Sequence, residues 1–267
     1  MKLRRIYAIY LRQLFLLRRN PTRFGNIFVW ILLDIVLWGF ITKYLDSATS
    51  TNFSFVPALL GAIILWDFLV RVQQGLMLAF FEDSWARNFL NLFASPLKLN
   101  EYVAGLVLTA ITTSLAGLIF MVLLAGLFFG YNLLTLGFGL TLFLLGLFLF
   151  GIAMGIFAVA MVLRFGPSAE WFAWPIPFAI APFVGIYYPL ATLPHAAQII
   201  GQALPPSYTF EGMRQFLLLG TISMPDLLMG FALSVAYILL AYLFLARMYK
   251  KIMKSGLLTR FSAESTE

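Results

Sequence analysis

From residue 102 to residue 163 the chain carries no charged side chain, and nearly every residue in that run is apolar. Crossing a hydrocarbon core of about 30 Å takes about 20 such residues in a helix, so this run is long enough for two crossings. A membrane β-barrel would need segments of about 10 residues alternating apolar and polar. Residues 140–151 read LTLFLLGLFLFG and do not alternate. Lipid offers no partner to open backbone groups, which leaves helix. The break between the two stretches, 102–129 and 133–163, is only Gly130-Tyr131-Asn132, so they form an antiparallel hairpin. Both exceed the bilayer thickness and must tilt or project beyond it.

The rest of the chain agrees with a membrane setting. Hydrophobic residues make up 62% and charged residues 11%, against about 45–50% and about 25% in soluble domains. A soluble fold of this composition would expose large apolar patches, and a disordered chain would need far more charge. Four further apolar stretches are read as spans: 24–42 with Asp34, 53–81 with Asp67 and Arg71, 171–193 with Pro175, Pro177, Pro182 and Pro189, and 227–246. The expectation is an all-α polytopic membrane protein with six transmembrane helices. The first stretch is too long for a signal-peptide core and no clean cleavage site follows it, so it counts as a span.

Lys and Arg set the orientation. The segment before the first span carries seven, the loop after the second Arg87 and Lys98, the next loop on that side Arg164, and the tail five. The opposite loops hold only Lys43 and Arg214. This places both termini in the cytoplasm, and it accounts for the net charge of +7 without nucleic acid.

Three segments outside the spans have their own pattern. In residues 1–23, Leu3, Tyr7, Tyr10, Leu14 and Leu17 recur at helical spacing, with Arg5, Arg12 and Arg19 on another face. That is a basic amphipathic interfacial helix ended by Asn20-Pro21, either an anchor or a partner-contacting element. After the second span, Glu82 and Asp83 fit the first turn of a cytoplasmic helix of about 10–12 residues. Trp85, Phe89 and Leu92 share one face, Arg87, Asn88 and Asn91 lie elsewhere, and Ser95-Pro96 stops it. Between spans five and six, Pro194 starts one short helix and Pro205-Pro206 separates it from a second, with Thr209 as its cap. These two read as short re-entrant helices in the outer leaflet, where Glu211 and Arg214 can pair.

Catalytic patterns are missing from the sequence. There is no cysteine, and His195 is the single histidine, which excludes thiolate and poly-imidazole metal sites. No Gly-Lys dipeptide occurs, so there is no phosphate-binding loop. Residues 166–170 lack the final glycine of a nucleophile elbow, and Ser168 reads as a cap of span five. Asp34, Asp67 and Arg71 are costly inside spans and should face protein or water. They either lock spans one and two together or line a polar pathway, a reading to which Gln73 and Gln74 add. Gly126-x-x-x-Gly130 and Gly151-x-x-x-Gly155 allow close helix approach, within or between subunits.

The order of these features resembles the permease subunit of the ABC-2 type transporter family, mostly bacterial exporters. The resemblance rests on the basic N-terminal helix, six spans with both ends inside, and the loop from Glu82 through Ser95-Pro96-Leu97 to Glu101 and Gly105. It also rests on Tyr188-Pro189, Leu193-Pro194, Pro205-Pro206 and the run from Phe210 to Arg214 in the outer loop. It implies a non-enzymatic half-transporter of the bacterial inner membrane, paired with a second permease copy or paralogue. Two separate ABC ATPase subunits would hold ATP and Mg. Glu82, Asp83, Trp85, Arg87, Asn88 and Phe89 would form the coupling helix. Spans one, two and five would line the pathway at a dimer interface, with Glu211 and Arg214 in the external gate. Aromatic richness and few polar groups favour an amphipathic or hydrophobic cargo, with a polysaccharide or glycolipid as the alternative. A secondary transporter using Asp34 or Asp67 as an ion site is the alternative of another class.

Overall fold

The computed structural model describes residues 2–48, 56–86 and 88–255. Arg87, the first residues of the second expected span (53–55) and the end of the tail (256–267) lie outside the described residues. The elements in chain order are α1 Leu3–Arg19, α2 Pro21–Ala48, α3 Gly61–Trp85, α4 Phe89–Ala94, α5 Leu99–Phe129, α6 Gly137–Phe165, α7 Glu170–Ala173, α8 Ile176–Ile180, α9 His195–Ala203, α10 Pro205–Leu219 and α11 Met224–Ser255. No strand occurs among the described residues.

The long helices stand in a row, α2–α5–α3–α6–α11, each packing on the next. The middle helix, α3, is mostly buried, whereas α2 and α11 at the ends of the row are mostly exposed. Small residues bring the middle of the row together, as expected where lipid supplies no hydrophobic drive between helices. A Cβ on Gly151 of α6 would lie 2.8 Å from Val72 Cβ, and one on Gly155 would lie 3.0 Å from Leu76 Cβ. The Gly151-x-x-x-Gly155 pair therefore packs α6 on α3 within one chain. Gly75 does the same on the other side of α3, where a Cβ would come within 3.1 Å of Ala110 Cα on α5. The Gly126-x-x-x-Gly130 pair works differently. Gly130 caps α5 in the left-handed region at φ 64° and starts the turn of the hairpin.

Among the described residues, five helices are long and apolar enough to cross a membrane. The expected fifth span, 171–193, is not among them. Its prolines lack donors and disfavour helix at the residue before them, and the segment folds as α7, α8 and short 3-10 turns. It still runs the depth of the row. Near its start the Glu170 carboxylate accepts from Trp85 Nε1 at the end of α3 (2.9 Å), and Ala173 O accepts from Gln73 Nε2 (3.2 Å). At its far end Leu190 N donates to Glu211 of α10 (2.7 Å). Ser168 sits exposed within a 3-10 turn, and the residue before α7 is Ala169.

Three local expectations are corrected. Helix α3 continues through Trp85, so Glu82 and Asp83 occupy its last turn, and the short loop helix is only α4, six residues long. Backbone bonds from Ala86 N to Glu82 O and from Asn88 N to Asp83 O wind the chain off α3 before α4 can begin. Helix α10 starts at Pro205, because proline's fixed φ suits the first helical turn. Thr209 is thus a buried interior residue of that helix, not its cap. In α1 the face turned to the protein is Ile6, Ile9 and Gln13, while Leu3 and Tyr7 of the expected stripe are exposed.

Candidate functional site

One end of the row gathers both ends of the described chain around α4. Phe93 of α4 packs against Tyr102 of α5 (ring centroids 5.6 Å apart) and Tyr249 near the end of α11 (5.0 Å). From the other direction α1 lies across α5, with Ile9 over Gly105, where a Cβ would come within 2.6 Å of the isoleucine side chain. Lys2 N and Arg5 donate to Glu101 in the first turn of α5 (2.7 and 3.2 Å), and Arg5 also reaches Pro96 O. Tyr10 and Thr112 share a hydroxyl contact of 2.8 Å.

Asp83 fixes this junction. A carboxylate in the last turn of a helix faces the negative end of the helix dipole, so it needs cations or donors from elsewhere. Arg12 pairs with it, Tyr102 Oη donates to Oδ2 (2.7 Å), and Gln13 Nε2 donates to it at 3.4 Å and to Ala79 O at 3.0 Å. Its side chain is 0% exposed. Asp83 therefore joins α1, α3 and α5, and offers no surface of its own. Of the other expected coupling residues, Phe89 is buried against Phe80 (4.9 Å) and Glu82 lies at the same turn as Asp83. Trp85 is exposed and bonded to Glu170, and Asn88 is half-buried, accepting from Asn91 Nδ2 (3.2 Å). Burial raises the Glu170 carboxyl above its ordinary value, and the Trp85 bond offsets this in part.

Polar groups continue inward from this junction. A small cavity of about 40 Å³ lies between α1, α3 and α5, lined by Gln13, Arg71, Gln74, Thr109 and Thr113 among others. Beyond it stand Asp34 of α2 and Asp67 of α3, each within the electrostatic reach of Arg71. The glycine at 117 leaves room for the arginine stem, since a Cβ there would meet Arg71 Cδ at 3.5 Å and Ile31 at 3.3 Å. Among the described residues Arg71 makes no ion pair with either carboxylate. Gln73 points elsewhere, toward Met77 and Ala173.

At the opposite end of the row, Glu211 and Arg214 are brought together at 3.0 Å. Arg214 also donates to Gly185 O, and Glu211 accepts from Leu190 N. The pair thus ties α10 to the end of the broken segment, where Gly185 takes φ 74°.

The sequence pattern missed Arg12, Gln13 and Tyr102 as a unit, and also the pairing of Trp38 with Tyr187 (stacked, 5.1 Å). A polar Gln13 on the Ile6–Ile9 face was the one available signal for the first. Nothing local marks the second, whose partners are far apart in the chain. A family model described as ABC-2 type transporter matches residues 4–218, a stretch that takes in the α1 junction, the intramembrane charges and the Glu211–Arg214 pair. Comparison with curated proteins found no match.

Proposed function

Because the chain belongs to the ABC-2 type transporter family, whose membership makes it a multi-pass transport component and implies pairing with an ABC ATPase subunit, we propose that it is the permease of an ATP-driven exporter of the bacterial inner membrane. Two copies, or this chain and a paralogue, form the transmembrane part. The ATPase binds ATP and Mg and docks at the cytoplasmic end around α4. Both termini lie on that side, as the Lys and Arg distribution favours. The exposed apolar faces of α2 and α11 meet lipid or the second copy.

The observation that carries this reading is the Asp83 junction. It ties the α4 end of the row to α1, α3 and α5, and α3 bears Asp67 and Arg71. Nucleotide binding between the ATPases would favour one arrangement of α4, and hydrolysis would release it. Packed helices then carry the shift to the intramembrane polar groups, because close-packed cores move as rigid bodies. Trp85 and Asn88, with Arg87, are the residues left to meet the ATPase. The cargo is amphipathic or hydrophobic, and Glu211–Arg214 holds the external gate closed.

Co-purification in mild detergent tests this. A nucleotide-binding subunit is expected in equal amount, and Arg87→Glu or Asn88→Lys should leave ATP hydrolysis running while transport falls. Transport that survives ATP depletion, or a chain that transports alone, overturns it.

A further inference from the structure

The intramembrane charges do not balance. Asp34 and Asp67 supply two carboxylates and Arg71 one guanidinium, so the ionised set carries one net negative charge. Asp67 is 9% exposed, and its Oδ2 has no hydrogen-bond partner. Arg71 does not fill that place: among the described residues it makes no ion pair with either carboxylate, and its own Nε is also unpartnered. A buried carboxylate oxygen in this state calls for a positive charge or a proton.

One turn from Asp34 along α2, Trp38 stacks on Tyr187 of the broken segment, 5.1 Å apart and 20° from parallel. Tyr187 lies in the field of both Asp67 and Asp34. Aromatic faces attract cations, tryptophan most strongly. The cluster is not sealed: Tyr187 is 40% exposed, and Trp38 and Asp34 are half-buried. Its neighbours on α2, Ile31 and Ile35, are apolar and buried. A visitor to this place meets one missing positive charge, the outer face or edge of an aromatic stack, and hydrocarbon.

We propose that Asp34, Asp67, Trp38 and Tyr187 form the recognition site for the charge of a lipophilic monocation, and that the cargo is a cationic amphiphile. The assignment of that molecule as cargo rests on the permease reading; its binding does not.

The probe is tetraphenylphosphonium, a fixed cation without a proton to give, beside tetraphenylborate, its anionic counterpart of the same shape. Equilibrium binding to the full chain in nanodiscs of neutral lipid should show saturable uptake of the cation and none of the anion above empty discs. Asp67→Asn should weaken cation binding by about tenfold or more, and Trp38→Leu by about fivefold. Arg71→Gln, which leaves both carboxylates, should tighten it, an opposite sign that a merely structural role would not produce. If Asp67→Asn does not fold, Trp38→Leu decides. Equal uptake of both ions, no saturable uptake of the cation, or unchanged binding in Trp38→Leu overturns the proposal. In the purified complex, ATP hydrolysis stimulated by neutral amphiphiles and not by the cation refutes the cargo class alone. Cation binding by a chain that recruits no ATPase refutes the permease reading alone.

Discussion

Replacing Tyr102 by Phe removes one hydroxyl and nothing else from the junction under α1. The ring stays in its place against Phe93, so no cavity opens. What is lost is a 2.7 Å bond from a buried hydroxyl to the buried carboxylate of Asp83. Hydrogen bonds to charged groups are worth about 1.5–3 kcal/mol, and that is the expected destabilisation of Tyr102→Phe. Asp83→Leu is a harsher change, because it strands Arg12 and Tyr102 together and leaves Gln13 only its bond to Ala79 O. Breaking a buried pair costs about 3–5 kcal/mol, and the figure should fall toward the lower end here because the Arg12 side chain is 28% exposed and can rehydrate. Equilibrium unfolding in mixed micelles gives the global number. Hydrogen exchange over residues 3–19 gives the local one, since α1 should open before the row does. A Tyr102→Phe loss below about 0.5 kcal/mol, with exchange in α1 unchanged, would show that Asp83 does not hold the helix, and the lever proposed for coupling would lose its joint.

Three further outcomes follow from named contacts. Gly75→Leu should cost about 1–3 kcal/mol in a thermal melt, because a Cβ at 75 already lies 2.7 Å from Thr113 Oγ1 and 3.1 Å from Ala110 Cα; a melt equal to wild type would displace α5 from α3. Gly185→Ala should cost about 1–2 kcal/mol in a thermal melt, since φ is 74° and the new methyl meets Glu211 Oε1 at 3.2 Å; a melt equal to wild type would refute the turn. Glu170→Gln should stabilise at neutral pH. Burial holds the folded carboxyl above its unfolded value, so the native state binds more protons in that window and the ionised form costs stability above it. The gain should vanish as pH drops through the ordinary carboxylate range, and a gain independent of pH would count against this account.

How much of this was legible beforehand divides by distance along the chain. Uncharged runs set the long helices, because the cost of an open backbone in lipid leaves no competing structure. Gly151 and Gly155 announced close packing, though not that α3 would be the partner. The prolines of 171–193 stand in plain view, yet apolar content alone suggests one long helix where α7, α8 and 3-10 turns form. The stripe of α1 failed for a different reason. Two apolar faces exist on that helix, one packed on protein and one exposed, and periodicity cannot say which is which. Asp83 looked like a helix-start signal because acid before an apolar run usually is one. Its real partners, Arg12 and Tyr102, come from elements whose arrangement only the packed row determines.

The placing of Phe93 between Tyr102 and Tyr249 has a consequence for biogenesis. The ribosome delivers α1 and α4 well before Tyr249, which lies near the end of α11. One wall of the niche of Phe93 is therefore supplied only after α5, α6 and α10 have been made. A half-made chain therefore leaves Phe93 with only one of its two tyrosine neighbours, and the niche closes when α11 arrives.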